Sequence, residues 1–371
     1  MKPAKLLLTT LIITFALSLV PLHVALCADA DTGEIADIES VDYADSDGFE
    51  ELDAASENEA FDAASEDEMA VLSMGAGAIE AGSVGKAQLL SPLLSESFQT
   101  DLATGAATVS VPIAVPPGRK NMQPQLALSY SSNNQNGICG VGWGLTTSSI
   151  QRSTKRGTPT YDNALDTFVF SSSGSSGELI PLTGQQGEYR QKIETVFMKY
   201  TYDGSTWTVR DKNGTKYTFG GVSTSRIVDP GDSSRIFAWF LDSVEDLHGN
   251  TVAFTYVKDT SQVYLDKVNY TGNTSQGLSA DKAVEFIYDE TGRTDIIYNN
   301  RSGWEIATKW LLDKVRINVD NGLKWMYVLD YTQSDDTQRS LLTNITLYDG
   351  EPGNLNTKHL PPKVFTYQKI D

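Results

Sequence analysis

From Lys86 to the C-terminus, apolar and polar residues alternate in short runs separated by Gly, Asn, Asp and Ser. The runs include Ala107-Thr108-Val109-Ser110-Val111-Pro112-Ile113 and Gln125-Leu126-Ala127-Leu128-Ser129-Tyr130. Others are Thr206-Trp207-Thr208-Val209, Thr251 to Tyr256, and Lys324 to Tyr331. A two-residue period rich in β-branched and aromatic side chains places one apolar face on an extended strand. Asp203-Gly204, Asn213-Gly214, Asn321-Gly322 and Asp349-Gly350 stand between such runs. These dipeptides tolerate the positive φ of hairpin turns. One stretch, Gly303 to Leu312, fits a helix or a strand equally through Trp304, Ile306, Trp310 and Leu311. The pattern predicts an all-β fold of twisted antiparallel sheets.

The chain before Lys86 has a different texture. Lys2 and Lys5 precede an apolar run, Leu6 to Val20, followed by small residues around Ala25 to Ala30. That order reads as a secretory signal peptide over residues 1–28, too short for a membrane span. Val24-Ala25-Leu26-Cys27 half matches a lipoprotein box, with a large Leu26 where a small residue is usual. Residues 29–85 are an acidic low-complexity segment and linker, expected to be disordered because like charges repel and little can be buried. Asp29 to Glu68 holds 17 acidic residues and no Lys or Arg; removing them from the net charge of −19 leaves −2. The remaining part, residues 86–371, therefore has no basic field for nucleic acid. No later segment is apolar enough for a membrane span. With Cys27 lost or lipidated, Cys139 is alone and is expected to be a small buried apolar residue.

Candidate chemistry is sparse. Gly140-x-Gly142-x-Gly144 lacks the following helix of a nucleotide loop. It reads as a tight turn bringing backbone close to the indole of Trp143. Ser223-Thr224-Ser225 and two Glu-x-Glu triplets, at Glu57 and Glu66, stand in the wrong order for an ADP-ribosyltransferase. His248 and His359 lie in turn-like contexts and have no nucleophile elbow to serve. Asp45-x-Asp47-Gly48 is only a fragment of a calcium loop. No cofactor, metal or catalytic residue is expected. Trp207, Trp239, Trp304, Trp310 and Trp325 alternate in strands and read mainly as packing, with an exposed glycan platform as the alternative. A weak recurrence remains: Asp211-x-x-Gly214, Asp246-x-x-Gly249-Asn250 and Asp289-x-x-Gly292-Arg293 each precede an aromatic run.

Tyr288-Asp289-Glu290-Thr291-Gly292-Arg293 resembles the tyrosine–aspartate repeat of RHS proteins. A more specific succession runs from Gly105 to Ile113, then Pro124-x-Leu126-x-Leu128-x-Tyr130. It continues through Gly137-Ile138-Cys139-Gly140-Val141-Gly142-Trp143-Gly144-Leu145 to Ile150-x-Arg152 and Pro159-x-Tyr161. This order resembles the SpvB-type N-terminal domain of virulence-plasmid B proteins, insecticidal Tc-toxin B components and RHS-like exported proteins. Scattered matches reach Leu360-Pro361 and Phe365-x-Tyr367. On that resemblance Gly137, Gly140, Gly142, Trp143, Asp246, Gly249 and Asn250 are structural motif residues.

The resemblance implies a wall segment of a β-shell that encloses a toxic payload, secreted or displayed at the cell surface. It implies partner chains carrying the propeller or RHS modules, because the sequence stops at Asp371 and reads as a truncated or split member. The expected function is non-enzymatic. The alternative is a cell-surface module binding carbohydrate or protein.

Overall fold

The computed structural model describes residues 97–100, 105–172, 175–194 and 197–367. The signal-peptide, acidic-segment and lipobox expectations fall outside them. The chain begins with β1 (Ser97–Thr100), β2 (Ala107–Pro112), β3 (Ala127–Ser131), the two-residue arms β4 (Asn136–Gly137) and β5 (Gly140–Val141), and β6 (Trp143–Leu145). β1, β2, β3 and β6 make an antiparallel four-stranded sheet, and β4 pairs with β5. Val109, Val111, Leu128 and Tyr130 alternate onto its buried face, as the period of two requires.

Next come β7 (Ser149–Arg152), β8 (Phe168–Ser172), β9 (Ser175–Pro181), β10 (Glu188–Gln191) and β11 (Met198–Tyr202). β12 (Trp207–Asp211), β13 (Lys216–Phe219), β14 (Arg226–Asp229) and the long β15 (Asp232–Glu245) follow. β7 to β13 pair in succession, and β15 pairs with both β13 and β7. These eight strands therefore close into a barrel. Its interior is a solid core that includes Phe168, Tyr200, Trp207, Phe219 and Trp239, with edge-to-face ring contacts such as Phe168–Trp207 at 5.0 Å.

The remaining strands are β16 (Asn250–Asp259), β17 (Gln262–Asn273), β18 (Lys282–Asp289), β19 (Ile297–Asn299) and β20 (Ile306–Thr308). β21 (Leu311–Val319), β22 (Gly322–Gln333), β23 (Ser340–Tyr348) and β24 (Lys363–Val364) complete the set. From β15 the sheet runs on, open, through β16, β17, β18, β21, β22, β23 and β24. Along one edge of β15, Ala238–Phe240 pair with β7 and Ser243–Glu245 with β16. The sheet therefore splits at Leu241–Asp242 into a barrel leaf and an open leaf. Leu241, at the split, donates its N–H to the Ser148 carbonyl and accepts a 2.7 Å bond from the Tyr256 hydroxyl. The four-stranded sheet shares a second core with the open leaf, through Leu128, Trp143, Val284, Ile317 and Tyr327 among others.

The ambiguous stretch Gly303 to Leu312 is extended, supplying β20 and the start of β21. Trp304 and Trp310 lie against Tyr161 and Tyr264 at 5.5 and 4.5 Å, so tertiary stacking decides a pattern that was locally ambivalent. The turn at Asn321-Gly322 is shifted by one residue. Asp320 (φ 50°) and Asn321 (φ 62°) form the two-residue loop, while Gly322 pairs with Val319 in the ladder.

Candidate functional site

The glycine-rich motif is a hairpin pressed between the small sheet and the open leaf. Asn136 pairs with Val141 and Gly137 with Gly140. Gly140 has φ +85°, and a Cβ there would stand 2.7 Å from the Ser340 carbonyl oxygen. Gly142 has φ +78°, and a Cβ there would stand 2.4 Å from the Tyr130 ring. Both positions thus exclude side chains twice over, by backbone conformation and by close approach. The surfaces approached are Ser340 and Tyr130 rather than the indole of Trp143. That indole is buried beside Phe365, with ring centroids 4.7 Å apart. Trp143 Nε1 donates to the Tyr367 hydroxyl at 3.0 Å, and Tyr367 donates to the Leu342 carbonyl at 2.8 Å.

Arg293, the last residue of the tyrosine–aspartate match, reaches this same hairpin. Its Nη1 donates to the Gly137 carbonyl at 2.8 Å, and its Nε lies 3.3 Å from Asp295 Oδ1. The arginine side chain is fully buried. Asp295 also accepts from Asn136 Nδ2 (2.7 Å), from Ser340 N–H (2.8 Å) and from Ser340 Oγ (2.6 Å). Burial pushes the Asp295 pKa up, but hydrogen bonds from Ser340 and Asn136 and the Arg293 charge outweigh it, so the pKa is lowered. Arg293 Nη2 and Asn136 Oδ1 are buried without a partner, so the cluster is incompletely satisfied. Cys139 beside it is a buried free thiol, pushed up to about 12 by burial although the Arg293 charge opposes this. It is an inert core residue.

Three separately noted stretches thus meet at one place: the glycine hairpin, Arg293 and Phe365-x-Tyr367. Sequence reasoning found each stretch but not their meeting, and it missed Asp295 and Ser340. A buried arginine requires a carboxylate within reach, which is the signal that could have singled out Asp295 two residues on.

The second motif site caps the β15–β16 turn. Asp246 Oδ1 accepts the His248 and Asn250 N–H groups, each at 2.8 Å, and Oδ2 accepts Asn250 Nδ2 at 2.7 Å. Asn273 on β17 bonds Asn250 Oδ1 at 2.9 Å, and Gly249 takes φ +78° against Ser275. Asp211 and Gly214 repeat the arrangement between β12 and β13. The third instance departs from it. Asp289 caps Thr291 and Gly292, and β18 continues into a loop rather than a hairpin because its ladder partner is β21.

Ser223–Ser225 form a single 3-10 turn with Ser225 buried, and the Glu-x-Glu triplets lie outside the described residues. His248 and His359 are exposed. The glycine hairpin leads into β6 and β7, with no helix N-terminus to receive a phosphate. Among the described residues no group of three or more His, Cys, Asp or Glu could hold a metal ion, and no helix is long and apolar enough to cross a membrane.

A family model described as Salmonella virulence plasmid 65kDa B protein matches residues 101–203 and 185–344. The chain belongs to this SpvB family. It is 27% identical over 198 residues to the mono(ADP-ribosyl)transferase SpvB of Salmonella choleraesuis (strain SC-B67), covering 46% of this chain and 32% of that protein. The namesake from Salmonella typhimurium is 26% identical over the same length. The match thus spans about a third of these relatives. In the crystal structure of TcdB2-TccC3 the same fold recurs with TM-score 0.63 and 22% identity, over 75% of this chain and 17% of that one. The Photorhabdus luminescens Tc holotoxin pore gives TM-score 0.61 and 22% identity, over 74% and 16%. The all-β architecture expected from the sequence is therefore shared with Tc-toxin components.

One expectation is overturned. The sequence leads one to expect a non-enzymatic protein, yet its curated relatives are named as mono(ADP-ribosyl)transferases. The relatives' name belongs to proteins of which the matched part is 32%.

Proposed function

We propose that this chain is an exported segment of a toxin assembly, a section of β-wall completed by further RHS- or propeller-bearing chains or modules. The observation that carries the reading is the contrast between its two sheet ends. The barrel leaf closes on itself, while among the described residues the last strand of the open leaf is the two-residue β24, where Val364 is 62% exposed. An open edge of this kind accepts more strands. The glycine hairpin with Trp143, and the Asp246–Gly249–Asn250 turn, serve in this reading as the rigid joints of the wall. The apolar run after Lys5 would direct export, and the shell would enclose or present a payload.

The test is the intact mass and sedimentation of the endogenous protein recovered from the producing cell's envelope and medium. Co-sedimentation with a larger RHS- or propeller-bearing chain is the expected result. A stable lone monomer would sink the shell reading.

A further inference from the structure

The split in the sheet creates a groove. Between the barrel leaf and the open leaf lies a cavity of about 560 Å³, walled additionally by residues 120–126 and 146–148. Leu241, Val252 and Leu265 give it an apolar floor, and the half-buried rings of Tyr217 and Phe254 line it. Several polar neighbours are already engaged. Ser148 bonds Ser172 at 2.9 Å, Gln123 accepts the Gly118 N–H at 3.1 Å, and Asp246 is saturated by its own turn. Five lining side chains are not engaged. Lys120, Asn121, Gln125, Thr147 and Thr215 have no side-chain partner among the described residues.

The ligand must match both surfaces. A phosphate-bearing ligand needs several cations or a helix N-terminus, and among the described residues Lys120 is the one cation lining the groove. A β-strand peptide needs a free backbone edge, and β15 is paired with β13 and β14 on one side and on the other with β7 up to Phe240 and β16 from Ser243, with the Leu241 N–H on the Ser148 carbonyl between them. A purely apolar chain would leave the two amides, the two hydroxyls and the ammonium without partners. A sugar carries hydroxyls around a ring whose C–H face packs on aromatic planes, and it needs no net charge. We infer that this groove binds a neutral oligosaccharide, about two to three units long for a pocket of this size. Gln125, Thr147 and Thr215 would take its hydroxyls, and Tyr217 and Phe254 would take its apolar face. The inference is independent of the assembly reading, because it concerns the split at β15 and not the open edge at β24.

The test titrates the full chain with cellotriose, maltotriose and triacetylchitotriose, read by intrinsic fluorescence and saturation-transfer NMR. Saturable binding of at least one is expected. The double variant Gln125→Ala/Thr147→Val should weaken it about tenfold or more, one to two lost hydrogen bonds' worth, with circular dichroism and thermal midpoint unchanged. Phe254→Leu should weaken it separately. Absence of saturation by all three sugars at ~10 mM, weaker than the millimolar range of a feeble complex, would overturn the site. So would binding that the variants leave unmoved.

Discussion

The barrel and the open leaf each bury one Arg–Asp pair, and the two pairs are built differently. In the barrel, Arg152 Nη1 lies 2.8 Å from Asp166 Oδ2, with both side chains below a tenth exposed. Its other partners are Asn163 and the Ile236 carbonyl, and the Phe168 and Trp239 rings lie 5.1 and 5.7 Å from the guanidinium. All belong to barrel strands or to the loop between β7 and β8. In the open leaf, Arg293 instead joins Asp295 to a hairpin of the small sheet, 156 residues earlier in the chain. A closed barrel is complete within itself, because every strand has two neighbours. The open leaf covers its face by recruiting the small sheet, the C-terminal Phe365–Tyr367 stretch, and side chains of β14 and β15 such as Ile227, Phe237 and Ala238. Closure thus gives one half its own strand pairing and its own Arg–Asp pair, and openness makes the other dependent on long-range joints.

The sharpest way to break this comparison is to remove each arginine in turn. Arg152→Met and Arg293→Met both strand a buried carboxylate, at about 3–5 kcal/mol each. The expected difference lies in where protection is lost. By native-state hydrogen exchange, Arg152→Met should raise exchange across β8 to β13 while sparing β21 to β23. Arg293→Met should do the reverse and also loosen β2 and β3. Uniform loss across all strands in both variants would show one cooperative unit and dissolve the distinction.

The two halves were not equally legible in the sequence. Individual strands were readable in both, because alternation such as Trp207-Thr208-Val209 reports burial locally. Barrel closure was not, since it depends on Trp239 of β15 pairing with Ile150 of β7, a register no local pattern encodes. The motif glycines were noticeable by spacing, but their neighbours Ser340 and Tyr130 were not. What a missing Cβ makes room for is a tertiary fact. Arg293 carries a repeat signature, while its partner Asp295 stands in no motif, just before Ile296-Ile297. Residues that look alike in composition, such as Asp289 and Asp295, do opposite things: one caps an exposed turn, the other anchors a buried joint.

A smaller effect separates positions within the glycine motif itself. Gly140→Ala forces a Cβ against the Ser340 backbone at positive φ, and should cost about 1–3 kcal/mol. Gly144→Ala meets nothing within 4 Å at an ordinary φ, and should stay within about 0.5 kcal/mol of the parent. Urea unfolding midpoints measured side by side decide it. Equal losses would mean that the hairpin tolerates displacement from β23, and that the joint between small sheet and open leaf is soft.

The smallest expected effect bears on whether the C-terminal stretch belongs to the open leaf. Tyr367→Phe keeps the ring and removes the hydroxyl that accepts from Trp143 Nε1 and donates to Leu342. The indole N–H is then buried with no acceptor, and the Leu342 carbonyl loses one donor. Burial raises the Tyr367 pKa, and the Trp143 ring it serves is itself buried, so little water replaces the lost bond. The cost should be about 1–2 kcal/mol, with Trp143 fluorescence shifted because its hydrogen bond is gone. If stability and fluorescence are both unchanged, the stretch is a loose appendage and the open leaf ends at β23. If both move, the glycine hairpin, the small sheet and the chain's last described residues form one joint, and Tyr367 is its outermost pin.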